Sequence, residues 1–397
     1  MTSEQVTAPE SENFSPFKQV WRRFFQDRFA VMALVVMLLL FLAAMAAPLI
    51  ANGLPLLIVT EEGRWFSPAL YDFFAPNVQE VFVEKIFNYL LLAALPVALS
   101  LILLRKRVLC RRIVAGTLLF LLAIPFFAVP QKNDVRDYEK EFSHATIVSA
   151  PVPYGPFQTS SKVFEKPSAE HWFGTDQNGR DVFARMLYGS RVSLAVGFLA
   201  AGISLILGTL IGLVSGYLGG KIDLIIQRCV EIVICFPTFL LLLILMVVLL
   251  DSGSRQSVLL VILVLGCTGW PGLARLVRGE VLKQRQMQYI QASECMGVPF
   301  RRILAVHLLP NVSGPVFVAF AFDIAGCILA ENSLSFLGFG VQIPTASWGE
   351  LLRQALDDPL LHWNLMLWPG LAIFICVCSF HFIADGLHRA IDPKSAG

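Results

Sequence analysis

Apolar residues run along this chain in blocks too long for soluble helices, and short polar clusters punctuate them. Eight blocks reach or approach the roughly 20 residues that an α-helix needs to cross a hydrocarbon core. They are 29–50, 86–104, 113–130, 192–216, 224–250, 257–279, 313–336 and 366–387. The second and third are the shortest and carry Pro96 and Pro125. The pattern predicts an all-α polytopic membrane protein with about eight transmembrane helices. The largest polar piece, 131–190, has scattered Pro and Gly and is too short to bury a large core of its own, so it predicts a small cap over the bundle.

Lysine and arginine orient the spans, because short cytoplasmic loops carry their excess. With the N-terminus inside, Arg105, Lys106, Arg107, Arg111 and Arg112 form one cytoplasmic turn. Arg275, Arg278, Lys283, Arg285, Arg301 and Arg302 then flank or occupy another, and Arg389 and Lys394 also fall inside. An even number of spans returns the C-terminus to the cytoplasm. The chain divides into a cytoplasmic tail 1–28, a first anchor 29–50, an outer loop 51–85 and a hairpin 86–130. After these come the outer cap 131–190, a core 191–390 containing the cytoplasmic loop 280–311, and a tail 391–397. The first 15 residues, rich in Ser, Glu and Thr, read as disordered. Ala44-Met45-Ala46 looks like a signal-peptidase site, but the apolar run before it exceeds the usual length of about 7 to 15 residues and reads as a retained anchor.

Composition agrees with the pattern. The 397 residues are 56% hydrophobic and 15% charged, and the mean hydropathy is +0.67, which excludes a water-soluble globule. A net charge of +2 gives no nucleic-acid footprint. None of the eight cysteines falls in the outward segments 51–85, 131–190 and 337–365, so no structural disulfide is expected. Cys376 and Cys378 point to different faces of a helix and read as packing residues rather than a metal pair.

The polar stretch Tyr289–Asn311, YIQASECMGVPFRRILAVHLLPN, lies between two spans. Gly297 ends a helix carrying Ala292 and Ser293, and Pro310 opens the next, leaving a helix-turn-helix outside the hydrocarbon. The bland reading is an amphipathic connector. The residues resemble the cytoplasmic signature loop of ABC importer permeases: E-A-A, three residues, G, nine residues, then I-x-L-P. Ala292, Gly297, Leu309 and Pro310 keep that spacing, while Gln291, Ser293 and His307 depart from it. The flanks extend the resemblance: Trp270-Pro271, Ala274, Arg275 and Arg278 before the loop, and Leu334 to Gly340 after it. Ser347-Trp348-Gly349, Asp385-Gly386-Leu387 and Asp392-Pro393 match further on, and GTDQNGRDVFARMLYGSRVSL (174–194) resembles the segment before the second family helix. Together these are similar to the dipeptide/oligopeptide/nickel group of ABC permeases, and Leu49 to Asn52 with Pro55-Leu56-Leu57 to its microcin C and oligopeptide subgroup. Members generally have six spans, so the hairpin 86–130 is a departure.

The resemblance implies a type I ABC importer permease core in a bacterial inner membrane. It implies as partners a homologous second permease, cytoplasmic ATP-binding subunits, an extracytoplasmic solute-binding protein and membrane lipid, with no nucleic acid. A short helix around Gln291 to Pro299 would sit in a groove of the ATPase, with Gly297 permitting the reversal. The chain carries no nucleotide loop of its own: Gly219-Gly220-Lys221-Ile222 lacks the Ser or Thr after Lys and the earlier Gly. Hydrolysis is therefore expected on another subunit, and no catalytic residue, cofactor or metal is expected here. Peptides, a nickel chelate or a peptide-like antibiotic all remain open as solute.

Glu231, Asp323 and Glu331 lie in or near spans, where a lipid-facing acid costs about 2.5 to 3.5 kcal/mol, so each should face protein or water. Asp323 and Glu331 stand about 80° apart on a helix and are the candidates to line the translocation path. The alternative is interhelical hydrogen bonding, and Glu231 reads as a partner of Arg228. A rival function, an ion-coupled secondary transporter using Asp323 and Glu331, predicts inverted repeats that the sequence does not display. An intramembrane enzyme would need a nucleophile and base or a metal motif, and none is present. Asp176, Asn178 and Asp181 admit a calcium reading but are ordinary turn residues, and a helix through Val182, Met186 and Leu187 is expected to follow them. His307 and His381 read as packing residues.

Overall fold

The structure, a computed structural model, describes residues 16–60, 65–74, 81–103, 117, 146–251 and 258–392. Helix α1 (Pro16–Phe24) leads into α2 (Arg28–Met45). Asp27 starts α2 by accepting from the backbone N–H of Phe29 at 3.0 Å and of Ala30 at 3.3 Å, donors that a first turn leaves unpaired. The same carboxylate pairs with Arg389, so the start of α2 and the end of the chain lie on one side of the bundle. After α3 (Ala47–Ile50), strands β1 (Leu57–Val59), β2 (Trp65–Phe66) and β3 (Thr146–Val148) form an antiparallel sheet in the order β2-β1-β3. Ile58 is the central residue, opposite Phe66 and Ile147. Helices α4 (Pro68–Phe74) and α5 (Val81–Leu103) lie between β2 and β3 in the chain.

The 37-residue α6 (Val182–Leu218) joins the helix expected through Val182 and the span expected from 192. It ends where Gly219 takes φ 65°. The expected single span 224–250 is instead two helices, α7 (Gly220–Cys235) and α8 (Thr238–Asp251), bent by 83°. Pro237 is the cause: it disfavours helical geometry in its predecessor, and Phe236 is extended at φ −84°, ψ 134°. The remaining elements are α9 (Val258–Arg285), α10 (Gln288–Cys295), α11 (Phe300–Arg302), a π-helical turn (Ile303–Leu308), α12 (Leu309–Phe336), α13 (Trp348–Gln354) and α14 (Trp363–Ile391).

Among the described residues, five helical runs are long and apolar enough to cross a membrane, and the bent pair makes up to six. At 23 residues α5 is also long enough. The expected span 113–130 apart from residue 117, the basic turn at 105–112, residues 1–15 and Lys394 lie outside the described residues.

The bundle is built around α6 and α9. Gly208, Gly212 and Gly216 repeat every four residues on α6, and a Cβ on them would sit 2.8, 2.7 and 2.8 Å from the Cβ atoms of Leu273, Val277 and Val281. Small residues at that spacing let two backbones approach closely, the usual way helices associate without a hydrophobic drive between them. One core cluster joins Leu194, Ala200, Leu265, Ile324 and Ile328; a second, at the α10 end, joins Leu213, Val277, Ile290, Ile303 and Val312.

Arg191 on α6 is fully buried and ties α5 to this core. Its Nε donates to Ala44 O at 2.6 Å and its Nη2 to Met45 O at 2.9 Å, pairing carbonyls that the end of α2 leaves open. Its Nη1 donates to Asn88 Oδ1 at 2.9 Å and to the Glu84 carboxylate, both on α5. At the same end of the bundle, the turn before α6 consumes its own acids. Asp176 accepts from Asn178 N and Arg180 N at 2.9 Å each and from Arg180 Nε at 2.8 Å. Asp181 caps α6 through Ala184 N at 2.7 Å and pairs with His171 at 2.9 Å. Burial pushes the Asp181 carboxyl up, against the pull of those partners. These engagements leave the calcium reading without a convergent set of open oxygens.

Candidate functional site: a welded surface helix and two intramembrane acids

The chain leaves α9 at Arg285, turns through Met287 (φ −77°, ψ 142°) and forms α10. This helix lies one turn earlier than the expected Gln291 to Pro299. Its stop sets the position: Gly297 has φ 72°, Gly297 N donates to Glu294 O at 3.0 Å, and Val298 N donates to Ser293 O at 3.1 Å. These are the two bonds of a Schellman cap, in which a left-handed residue reverses the chain and pairs the last carbonyls. No atom lies within 4 Å of a Cβ built at Gly297, so the position demands glycine for its backbone, not for space.

The inner face of α10 is fixed. Ile290 is fully buried in the second core cluster, and Ser293, 5% exposed, donates its hydroxyl to Tyr289 O at 2.8 Å. Gln291, Ala292, Glu294 and Cys295 form the exposed face, continued by Met296. The two ends of the stretch are tied together, since Asn311 Nδ2 donates to the Tyr289 hydroxyl at 3.2 Å.

Pro310 does not open the following helix, contrary to the sequence expectation. Helix resumes at Phe300 after Pro299 and continues through the π turn into α12. The wide turn, in which Leu309 N donates to Leu304 O, is how a helix passes a proline that lacks an N–H and crowds the preceding turn. Leu309 and Pro310 both lie at the surface.

The two acids on α12 occupy unlike sites. Glu331 is fully buried and accepts from Ser193 Oγ at 3.0 Å and Ser335 Oγ at 2.9 Å. Asp323 is half-buried; its Oδ2 and the neighbouring Ser204 Oγ on α6 are both buried without a hydrogen-bond partner. Glu231 pairs with Arg228 at 2.6 Å. His381 bonds Val377 O at 2.9 Å, and among the described residues no group of His, Cys, Asp or Glu is disposed to hold a metal.

Comparison with known proteins decides what this arrangement belongs to. The family described as "Binding-protein-dependent transport system inner membrane component" matches residues 208–397, and "N-terminal TM domain of oligopeptide transport permease C" matches 15–58. The dipeptide transport system permease protein DppC of Bacillus subtilis is 41% identical over 249 residues, 60% of this chain and 76% of that protein. The chain belongs to the binding-protein-dependent ABC permease family. Other relatives are the oligopeptide permease OppC of Haemophilus influenzae, 41% identical over 56% of this chain and 70% of that protein, and the glutathione permease GsiD of Pectobacterium atrosepticum, 39% identical over 58% and 75%. Among solved structures, the inward-facing MetNI methionine ABC transporter aligns with a TM-score of 0.44 at 20% identity, over 53% of this chain and 97% of that one.

The permease is thus a polytopic inner-membrane subunit of an ABC importer, with ATP hydrolysis on a separate subunit and a second permease as partner. The ion-coupled alternative finds no support in the family. Sequence reasoning missed two buried pairs of this permease, Arg191 with Glu84 and Arg185 with Glu350 at 2.6 Å, and one half-buried pair, Arg278 with Asp223, also at 2.6 Å. A charge inside an apolar helix demands a partner, so Arg185 and Arg191 were themselves the signal. What the sequence does not carry is which distant acid answers.

Proposed function

We propose that this permease passes peptides or peptide-like solutes inward from an extracytoplasmic solute-binding protein, and that α10 is the contact through which a cytoplasmic ATPase drives it. The relatives named for dipeptide, oligopeptide and glutathione transport support the solute class. The observation that carries the coupling assignment is the two-faced α10: Ile290 is embedded in the bundle while Gln291, Ala292 and Glu294 face outward. A helix built so transmits a push on its outer face to the helices that hold its inner face. Ser293 and Gly297 set its inner contact and its stop, and Leu309 and Pro310 close the segment behind it. Asp323, with its open oxygen, is proposed to line the path, and Glu331 to pin α12 to α6. Both termini are proposed to be cytoplasmic, with the exposed apolar face of α2, including Phe29, Met32 and Leu39, against lipid.

Gly297→Val tests the coupling assignment, because a β-branched residue cannot adopt the left-handed conformation of the cap. The expected result is a permease that inserts normally but no longer retains the ATPase on co-purification. Unchanged retention, together with unchanged stimulation of hydrolysis by the binding protein, would refute the assignment.

A further inference from the structure

Tyr217, the penultimate residue of α6, is touched by every segment that enters or leaves α10. Its ring centroid lies 5.3 Å from that of Phe300, where helix resumes after the loop. The Arg285 guanidinium, at the end of α9, stands 5.6 Å over the same ring. Its hydroxyl faces the carboxylate of Glu294 on α10 itself. The ring also packs against the second core cluster, in which Ile290 of α10 is buried.

What Tyr217 holds is stiff. Behind it, Gly208, Gly212 and Gly216 bring α6 and α9 into backbone contact, so the two helices form one rigid pair. A third helix joins through Asp223 at the start of α7, which takes Arg278 Nε and Nη2 of α9 at 2.6 Å each and accepts from Ser215 Oγ of α6. A bidentate guanidinium–carboxylate pair fixes orientation as well as distance. Ser204, whose hydroxyl lies beside Asp323, belongs to the same α6.

We infer that Tyr217 is the positioning residue through which movement of α10 reaches the α6–α9 pair, and thereby the intramembrane site at Ser204 and Asp323. This rests on α10 being the ATPase contact. The aromatic ring is the working part: it meets the Phe300 ring at a tilt and carries the Arg285 guanidinium over its face, while the hydroxyl contributes only its nearness to the Glu294 carboxylate. A tether of this kind alters how strongly two sites are coupled without altering what either binds.

The test uses the complete importer reconstituted in nanodiscs with its cognate binding protein, purified with the solute that it carries. Tyr217→Ala should leave the ATPase subunits bound and lower the stimulation of hydrolysis by the loaded binding protein about fivefold or more. Tyr217→Phe, which keeps the ring, should restore most of the stimulation; a merely structural defect would not sort the two variants by this ratio. Wild-type stimulation in Tyr217→Ala overturns the inference. Should that variant fail to assemble, Phe300→Leu decides, since it removes one ring contact and leaves Tyr217 in place: lowered stimulation supports the inference and wild-type stimulation overturns it. The ATPase contact is judged separately by Gly297→Val, so intact coupling in Tyr217→Ala alongside lost retention in Gly297→Val rejects the Tyr217 role alone.

Discussion

Arg191 shows how much one residue can hold in a membrane bundle. A guanidinium at zero exposure has to find its acceptors in the protein, and this one takes two carbonyls from the end of α2, an amide oxygen and a carboxylate. Removing one member of a buried ion pair strands the other charge, at a cost of about 3 to 5 kcal/mol, whereas replacing both with apolar groups of similar volume is close to neutral. Glu84→Gln is therefore expected to destabilise the protein by about 3 kcal/mol, and Glu84→Met with Arg191→Met to recover most of that loss. Thermal unfolding of the single and double variants in nanodiscs checks this. Additive effects in the double variant would mean that the two side chains do not act as a pair. Both residues are plain in the sequence, but they are 107 positions apart, and nothing local encodes their meeting.

Elements were legible where a local rule has no competitor. The Asp181 turn predicts a helix start, and Asp181 caps α6; Gly297 predicts a stop, and it closes α10 with two capping bonds. Prolines were harder, because their effect depends on neighbours. Pro237 bends what reads as one span into two helices, while Pro310, which reads as a helix start, is carried inside a helix by the π turn before it. The acids of α12 show the same limit: periodicity places Asp323 and Glu331 loosely on one side, yet Glu331 accepts from two serine hydroxyls while the Oδ2 of Asp323 is left without a partner. A path-lining carboxylate attracts the charged amino terminus of a peptide, and a hydrogen bond to a charged group contributes about 1.5 to 3 kcal/mol. Asp323→Asn should thus reduce the preference for tripeptides over their N-acetylated forms about tenfold. Glu331→Gln should leave that preference intact and lower thermal stability. Competition uptake into proteoliposomes gives both numbers, and an unchanged preference in Asp323→Asn would place that carboxylate away from the path.

Across the whole molecule, contacts sort the segments between the two ends of the bundle. Asp27 meets Arg389 at one end, which is also the end of α10 and of the Asp223–Arg278 pair; the β-sheet and the Arg185–Glu350 pair occupy the other. Arg22, Arg23, Arg28, Lys283, Arg285, Arg301 and Arg302 all cluster at the α10 end, the distribution that short cytoplasmic segments carry. Cys295, exposed on α10, reports on this directly. With Cys229, Cys235 and Cys267, the other exposed cysteines among the described residues, and Cys110, which lies outside them, all replaced by Ser, an impermeant maleimide should leave Cys295 unlabelled in intact cells and label it in inside-out vesicles. Labelling in intact cells would invert the bundle and remove α10 from reach of any cytoplasmic ATPase. The same thiol separates orientation from docking. If the outer face of α10 is covered by the ATPase, labelling in inside-out vesicles should be slow in the assembled complex and become several-fold faster once the ATPase is stripped. Equal rates before and after stripping would leave α10 on the cytoplasmic side but uncovered, and coupling would then have to enter the bundle by another surface.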